Sequence, residues 1–88
     1  MNLKIVTSKK IFFNGEVSSV TVPGILGPFT ILDHHAPIIS LLVKGVISFK
    51  NKDKNEISKL SIEDGFLEVS NNNVIICVEL LDENEKKS

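Results

Sequence analysis

The groups in this sequence that could do chemistry are two adjacent histidines, one cysteine, a pair of glycines and a scatter of serines. His34 and His35 follow Asp33, and imidazole is both the commonest metal ligand and the usual proton carrier near neutral pH. Adjacent residues on an extended chain point to opposite sides. Asp33 is the single nearby carboxylate, so no third ligand stands at a recognisable spacing, and the triplet reads as a turn with Asp33 as an Asx-type turn former. Cys77 sits inside the apolar run Val74-Ile75-Ile76-Cys77-Val78, where a free thiol behaves as a small hydrophobe. Gly24 and Gly27 are followed by neither a Gly-Lys-Ser/Thr sequence nor a helix, so they do not build a phosphate-cradling loop. Ser8, Ser18, Ser19, Ser40 and Ser48 lack a Gly-x-Ser-x-Gly elbow. No residue is assigned a catalytic, cofactor-binding or metal-binding role, and the expectation is a protein that is not itself an enzyme.

The elements that position these residues are strands. Apolar residues recur at a spacing of two, with breakers roughly every eight to twelve residues, the pattern of consecutive antiparallel strands. Leu3 to Thr7 opens the chain, and Ile11-Phe12-Phe13 follows the Lys9-Lys10 interruption. Asn14-Gly15 supplies the positive-φ pair of a tight hairpin turn into Glu16–Val22. Val17 is out of phase with Val20 and Val22, which predicts a β-bulge near Ser18-Ser19. Pro23-Gly24 and Gly27-Pro28 bracket a loop over residues 23–28 before Phe29–Leu32. Ile38–Val43 reads as a strand buried on both faces. Val46–Lys50 and Glu56–Ile62 flank the charged tip Asn51–Asn55. Glu63-Asp64-Gly65 and Asn71-Asn72-Asn73 are further turns, leading into Phe66–Ser70 and Val74–Val78. The sum is an all-β, flattened sandwich of about eight to ten antiparallel strands with no substantial helix. Residues 1–80 form the domain and residues 81–88 a short charged tail expected to be disordered.

Composition narrows the partners. The chain has 88 residues, enough for one domain and too few for a second. Ten basic against eleven acidic side chains give a formal net charge of -1, so no field gathers phosphate backbones or anionic lipid. Trp and Tyr are absent, and the five Phe fall at positions a core would want, which leaves no stacking platform for single-stranded nucleic acid. One cysteine cannot form an internal disulfide, which fits a reducing compartment. The N-terminus has no apolar h-region, so neither a signal peptide nor direct membrane insertion is expected.

One surface feature stands out. Ile25, Leu26, Pro28 and Phe29 crowd a single loop with apolar side chains, which either meets a partner or folds back on its own sandwich.

The sequence is similar to a known family in a specific order of pieces. Val20-Thr21-Val22-Pro23-Gly24, Gly27, Ile31-Leu32, His35-Ala36-Pro37-Ile38-Ile39, Gly45-Val46, Gly65-Phe66-Leu67-Glu68-Val69 and Asn73-Val74 resemble the N-terminal domain of the F-type ATP synthase epsilon subunit. Lys10-Ile11-Phe12 and Gly15-Glu16-Val17 are similar to that family too, so the resemblance runs from about Leu3 to Val78. It implies a flattened β-sandwich at the foot of the rotary central stalk, without an active site. One side would lie against the gamma subunit and the loop end against the c-ring, coupling proton flow to ATP synthesis at the cytoplasmic face of the bacterial inner membrane. By position, Gly24, Ile25, Leu26, Gly27, Pro28 and Phe29 match the c-ring side, while Thr7, His35, Ala36 and Pro37 match the gamma side.

Three departures from the family pattern carry expectations of their own. The family loop usually bears acidic residues and another glycine, where this chain has Ile25, Leu26 and Pro28, with Thr30 in place of the glycine. Asp33 and His34 stand where the family often has proline and glycine. The family usually continues into two C-terminal helices that can inhibit ATP hydrolysis and in some members bind ATP. Their absence from this sequence implies neither that inhibition nor a bound nucleotide. The competing reading is a free-standing β-sandwich adaptor that binds a peptide along an exposed strand edge.

Overall fold

The computed structural model describes residues 1–81, and among them the chain forms seven β-strands and no helix. They are β1 (Asn2–Val6), β2 (Ile11–Gly24), β3 (Gly27–Leu32), β4 (Ile38–Leu42), β5 (Gly45–Asn51), β6 (Ile57–Ser70) and β7 (Asn73–Leu80). The count is below the eight to ten expected because two pairs of predicted strands are single strands of 14 residues, β2 and β6. Asn14-Gly15 makes no turn: both residues are paired within β2, opposite Lys4 and Leu3. The first reversal lies instead at Thr7–Lys10, where Thr7 Oγ1 accepts hydrogen bonds from the backbone N–H groups of Lys9 and Lys10, both 3.2 Å. Glu63-Asp64-Gly65 is likewise no turn but the point where β6 shifts register against β7.

The two long strands build both layers. The first half of β2 pairs with β1, and its second half pairs with β3 and β5. The first half of β6 pairs with β5, and its second half pairs with β4 and β7. Layer A is therefore β3-β2-β5-β6 and layer B is β2-β1-β7-β6-β4, with β1 and β7 parallel. Strands that cross from one sheet to the other do so at irregularities. Here the register shifts lie between Val17 and Ser19 in β2 and between Ile62 and Asp64 in β6. The bulge expected at Ser18-Ser19 is thus present, and it keeps Val17, Val20 and Val22 all fully buried.

The core is aliphatic. Leu3, Ile5, Leu67, Val69, Val74 and Ile76 face inward from layer B, against Val20, Val22, Ile31, Ile47 and Ile62 from layer A. Phe13 and Phe49 meet across the interior with ring centroids 4.5 Å apart. Not every phenylalanine is in the core: Phe12 and Phe66 are exposed. The strand expected to be buried on both faces, β4, is buried on one, since Leu42 is in the core while Ile39 and Leu41 point outward. At Gly65 an added Cβ would collide with the Cys77 carbonyl and lie 2.8 Å from Val78, so the β6 shift requires glycine. The Asn71-Asn72 turn uses left-handed backbone at both residues, φ 51° and 61°, as the tight β6–β7 hairpin demands. Beyond Leu81, the expected charged tail lies outside the described residues.

Candidate functional site

The chemistry-bearing residues do not converge. His34 adopts left-handed backbone (φ 64°) in the turn after β3, and its N–H donates to Asn72 Oδ1 at 2.8 Å. His35 N–H closes that turn onto the Leu32 carbonyl at 3.2 Å, and its Nδ1 lies 2.7 Å from the Ala36 carbonyl. No group of three or more His, Cys, Asp or Glu side chains placed to hold a metal occurs among the described residues. Asp33 does more than shape the turn: its Oδ1 lies 2.8 Å from the Met1 amino group, which also donates to the Val17 carbonyl at 3.2 Å. The ammonium's hydrogen bond holds the Asp33 carboxyl below its ordinary pKa. Cys77 is half-buried on the outer side of β7 rather than in the core.

What the structure does assemble is apolar surface, in two places. The first is the tip of the β2–β3 hairpin. Residues 23–28 are not an open loop: Gly24 pairs with Gly27 and Pro23 with Pro28, leaving Ile25-Leu26 as the whole turn. Leu26 is 100% exposed and Ile25 56%, so the turn does not fold back on the sandwich. Phe29 packs inward against the core and Pro28 is exposed, so within residues 24–29 the surface is made by Ile25, Leu26 and Pro28.

The second is the outer face of layer B, which sequence reasoning missed. In register across five strands stand Leu41, Phe66, Cys77, Val6 and Ile11. The neighbouring row is Ile39, Glu68, Ile75, Lys4 and Asn14. Ile39 is 76% exposed and Leu41 59%. A shallow depression of about 360 Å³ opens beside the first row, bounded by Thr7, Asp64, Phe66, Cys77 and Glu79. The signal was present in the sequence. In a two-layer fold each strand has one inward face, so adjacent apolar residues such as Phe66-Leu67 and Ile75-Ile76 leave one of the pair outside.

The two surfaces adjoin. Ile25 N–H donates to the Leu41 carbonyl at 3.0 Å and Val43 N–H to the Pro23 carbonyl at 2.9 Å, which ties the tip to the end of β4. Thr7 follows β1 and His35-Ala36-Pro37 precedes β4, on the far sides of layer B from one another. Three strand spacings separate β1 from β4, about 14 Å. The structure does not bring these four residues together; the apolar row with Leu41, Phe66 and Cys77 and the mixed row with Ile39, Glu68 and Ile75 lie between them.

Comparison with known proteins agrees with this architecture. The model of a family described as "ATP synthase, Delta/Epsilon chain, beta-sandwich domain" matches residues 1–81. An ATP synthase epsilon chain of Chlorobium limicola is 47% identical over 77 residues, covering 88% of this chain and 86% of that one. The epsilon chain of Leptospira borgpetersenii is 40% identical over 76 residues, which are 86% of this chain and 58% of its own length. Among solved structures, a chain in the central stalk/c-ring structure of Tetrahymena thermophila mitochondrial ATP synthase superposes with a TM-score of 0.77 at 21% identity, over all of this chain and 70% of that one. One in the OSCP/F1/c-ring structure of the Euglena gracilis enzyme gives 0.79 at 19% identity, over 97% and 58%. At such identities the structural likeness speaks for the fold.

Proposed function

This chain belongs to the ATP synthase delta/epsilon chain family over its β-sandwich domain, and from that premise we propose that it is a non-catalytic subunit of the rotor's central stalk. In this role it joins gamma to the c-ring of a proton-translocating F-type ATP synthase and so helps couple ion flow to ATP synthesis. The observation that carries the reading is the group of exposed apolar side chains on the layer B face, Ile39, Leu41, Phe66 and Ile75, adjoining the β2–β3 tip. An exposed apolar surface of this extent on a small domain calls for a protein partner. Two adjoining surfaces, one flat and one protruding, suit a part held between two neighbours.

Gamma takes the flat face. A partner touching both Thr7 and the His35-Ala36-Pro37 segment has to span the rows that contain Ile39, Leu41, Phe66 and Ile75. The c-ring takes the tip, with Gly24, Ile25, Leu26, Gly27, Pro28 and Phe29 supplying its two strands and turn. Stiffness suits a torque-bearing part, and here two strands of 14 residues each run through both layers. No described helix is long and apolar enough to cross a membrane, so in this reading the chain sits at the membrane through its partners, on the cytoplasmic face. An adaptor would want a long free strand edge, whereas the edge strands β3 and β4 have six and five residues, and β3 carries Pro28.

The test is purification of the tagged chain from its native membranes. Recovery of alpha, beta, gamma and c-ring subunits is the expected result, with gamma lost on Ile39→Ser/Leu41→Ser. Failure to recover any synthase subunit with the unmutated chain contradicts the proposal.

A further inference from the structure

The Met1 end of β1 is built into the sandwich. Met1 is 3% exposed and its side chain belongs to the core. Its ammonium donates to the Val17 carbonyl at 3.2 Å and to Asp33 Oδ1 at 2.8 Å, with Glu16 Oε1 3.5 Å away. Val17 N–H in turn donates to the Met1 carbonyl at 2.9 Å. Val17 is fully buried and stands at the register shift where β2 changes layers, so Met1 takes up both of its backbone groups at that irregularity. A buried backbone acceptor stripped of its donor is costly.

The contacts run on from there into two turns. Asn2 N–H donates to the Asn72 carbonyl at 3.2 Å, and Asn72 Oδ1 accepts the His34 N–H at 2.8 Å. Asn72 and His34 both hold left-handed backbone, φ 61° and 64°, a conformation that persists where its surroundings fix it. One end of β1 therefore ties together the bulge in β2, the turn after β3 and the β6–β7 turn.

We propose that the Met1 nitrogen is a modification-sensitive latch: as a free ammonium it orders the turn over Asp33, His34 and His35, and acylation of that nitrogen releases the turn. Acyl transfer from a thioester to this nitrogen forms an amide and releases the thiol and one proton. The charged group with three N–H donors becomes a neutral group with one. A single N–H cannot serve both the Val17 carbonyl and Asp33. Hydrogen bonds between ionised partners are about twice as strong as neutral ones, so the loss falls mainly on Asp33 and the turn it begins.

The experiment uses the full chain made by total synthesis with Met1 free or N-acetylated, each also prepared with Asp33→Asn. Acetylation should lower the wild-type melting temperature by about 4 °C or more. It should also speed hydrogen exchange at the His34 and His35 N–H groups, which bond to Asn72 Oδ1 and the Leu32 carbonyl, relative to the Leu67 N–H in the core strand β6. With Asp33→Asn the charged partner is already gone, so acetylation should change that exchange by less than about half as much. The mass of the chain taken from native membranes should be that of a free Met1 amine. Identical exchange in the free and acetylated wild-type chains overturns the latch, as does an acetylation effect equally large in Asp33→Asn. A native chain whose mass shows an acyl group on Met1, or residues ahead of it, overturns it as well.

Discussion

The outer faces of the two layers share the long strands β2 and β6 and differ in chemistry along their central rows. On layer A the central row is Thr30, Thr21, Ser48 and Lys59, with the two threonine hydroxyls hydrogen-bonded at 2.8 Å. On layer B the corresponding row is Leu41, Phe66, Cys77, Val6 and Ile11. Leu32, Val46 and Ile57 are exposed on layer A only at strand ends, apart from one another. Both faces share a core, a twist and two through-running strands, so folding alone does not account for the contrast. A sheet that needs only to fold can be polar outside, as layer A is. Layer B keeps apolar side chains where folding makes no use of them, and that excess is the basis of the interface proposed above.

The contrast can be broken from the inside or the outside. Leu67 is fully buried on the inner side of β6, directly after the exposed Phe66. Leu67→Ala should cost about 2–5 kcal/mol, read from urea unfolding of the isolated chain. Gly65→Ala comes next, about 1–3 kcal/mol by the same measurement, because the new methyl meets the β7 backbone. On the outside the expected effects on folding shrink. Ile39→Ser and Leu41→Ser should each change stability by about 0.5 kcal/mol, yet remove gamma from the purified complex. Thr21→Val with Thr30→Val is the control, leaving that recovery unchanged.

The smallest effect is set by pH. The folded state lowers the pKa of Asp33 below its ordinary value, so its contribution is fully present above that value and disappears as pH falls through the folded one. Asp33→Asn should therefore flatten the stability profile below about pH 4 and lower the plateau slightly above it. An unchanged acid limb in thermal melts would remove the amino-terminal pairing from this account.

Much of the fold was legible. Alternation marked the strands, and the phase slip at Val17 located the bulge that lets β2 change layers. The two places misread as turns both have turn-forming composition inside long strands: Asn14-Gly15 is paired with β1 ahead of the shift at Val17, and Glu63-Asp64-Gly65 sits at the shift where β6 changes layers. At Gly65, close backbone approach is the reason for the glycine. The hairpin tip was legible because its apolar residues are punctuated by Pro and Gly. The layer B face was not, because Ile38–Val43 reads as a fully buried strand until its neighbours are known. Only the register with β6 and β7 shows that Ile39 and Leu41 share an outer face with Phe66 and Ile75.

Cys77 makes the most direct measurement possible, since it is the one cysteine of the chain and stands in the middle of the apolar row. A thiol-attached photo-crosslinker on Cys77, activated in native membranes, is predicted to join this chain to gamma. The same probe on Thr30→Cys in a Cys77→Ser background, on the polar face, should not join it to gamma. Gamma captured from Thr30→Cys and not from Cys77 would contradict the assignment of the interface to layer B.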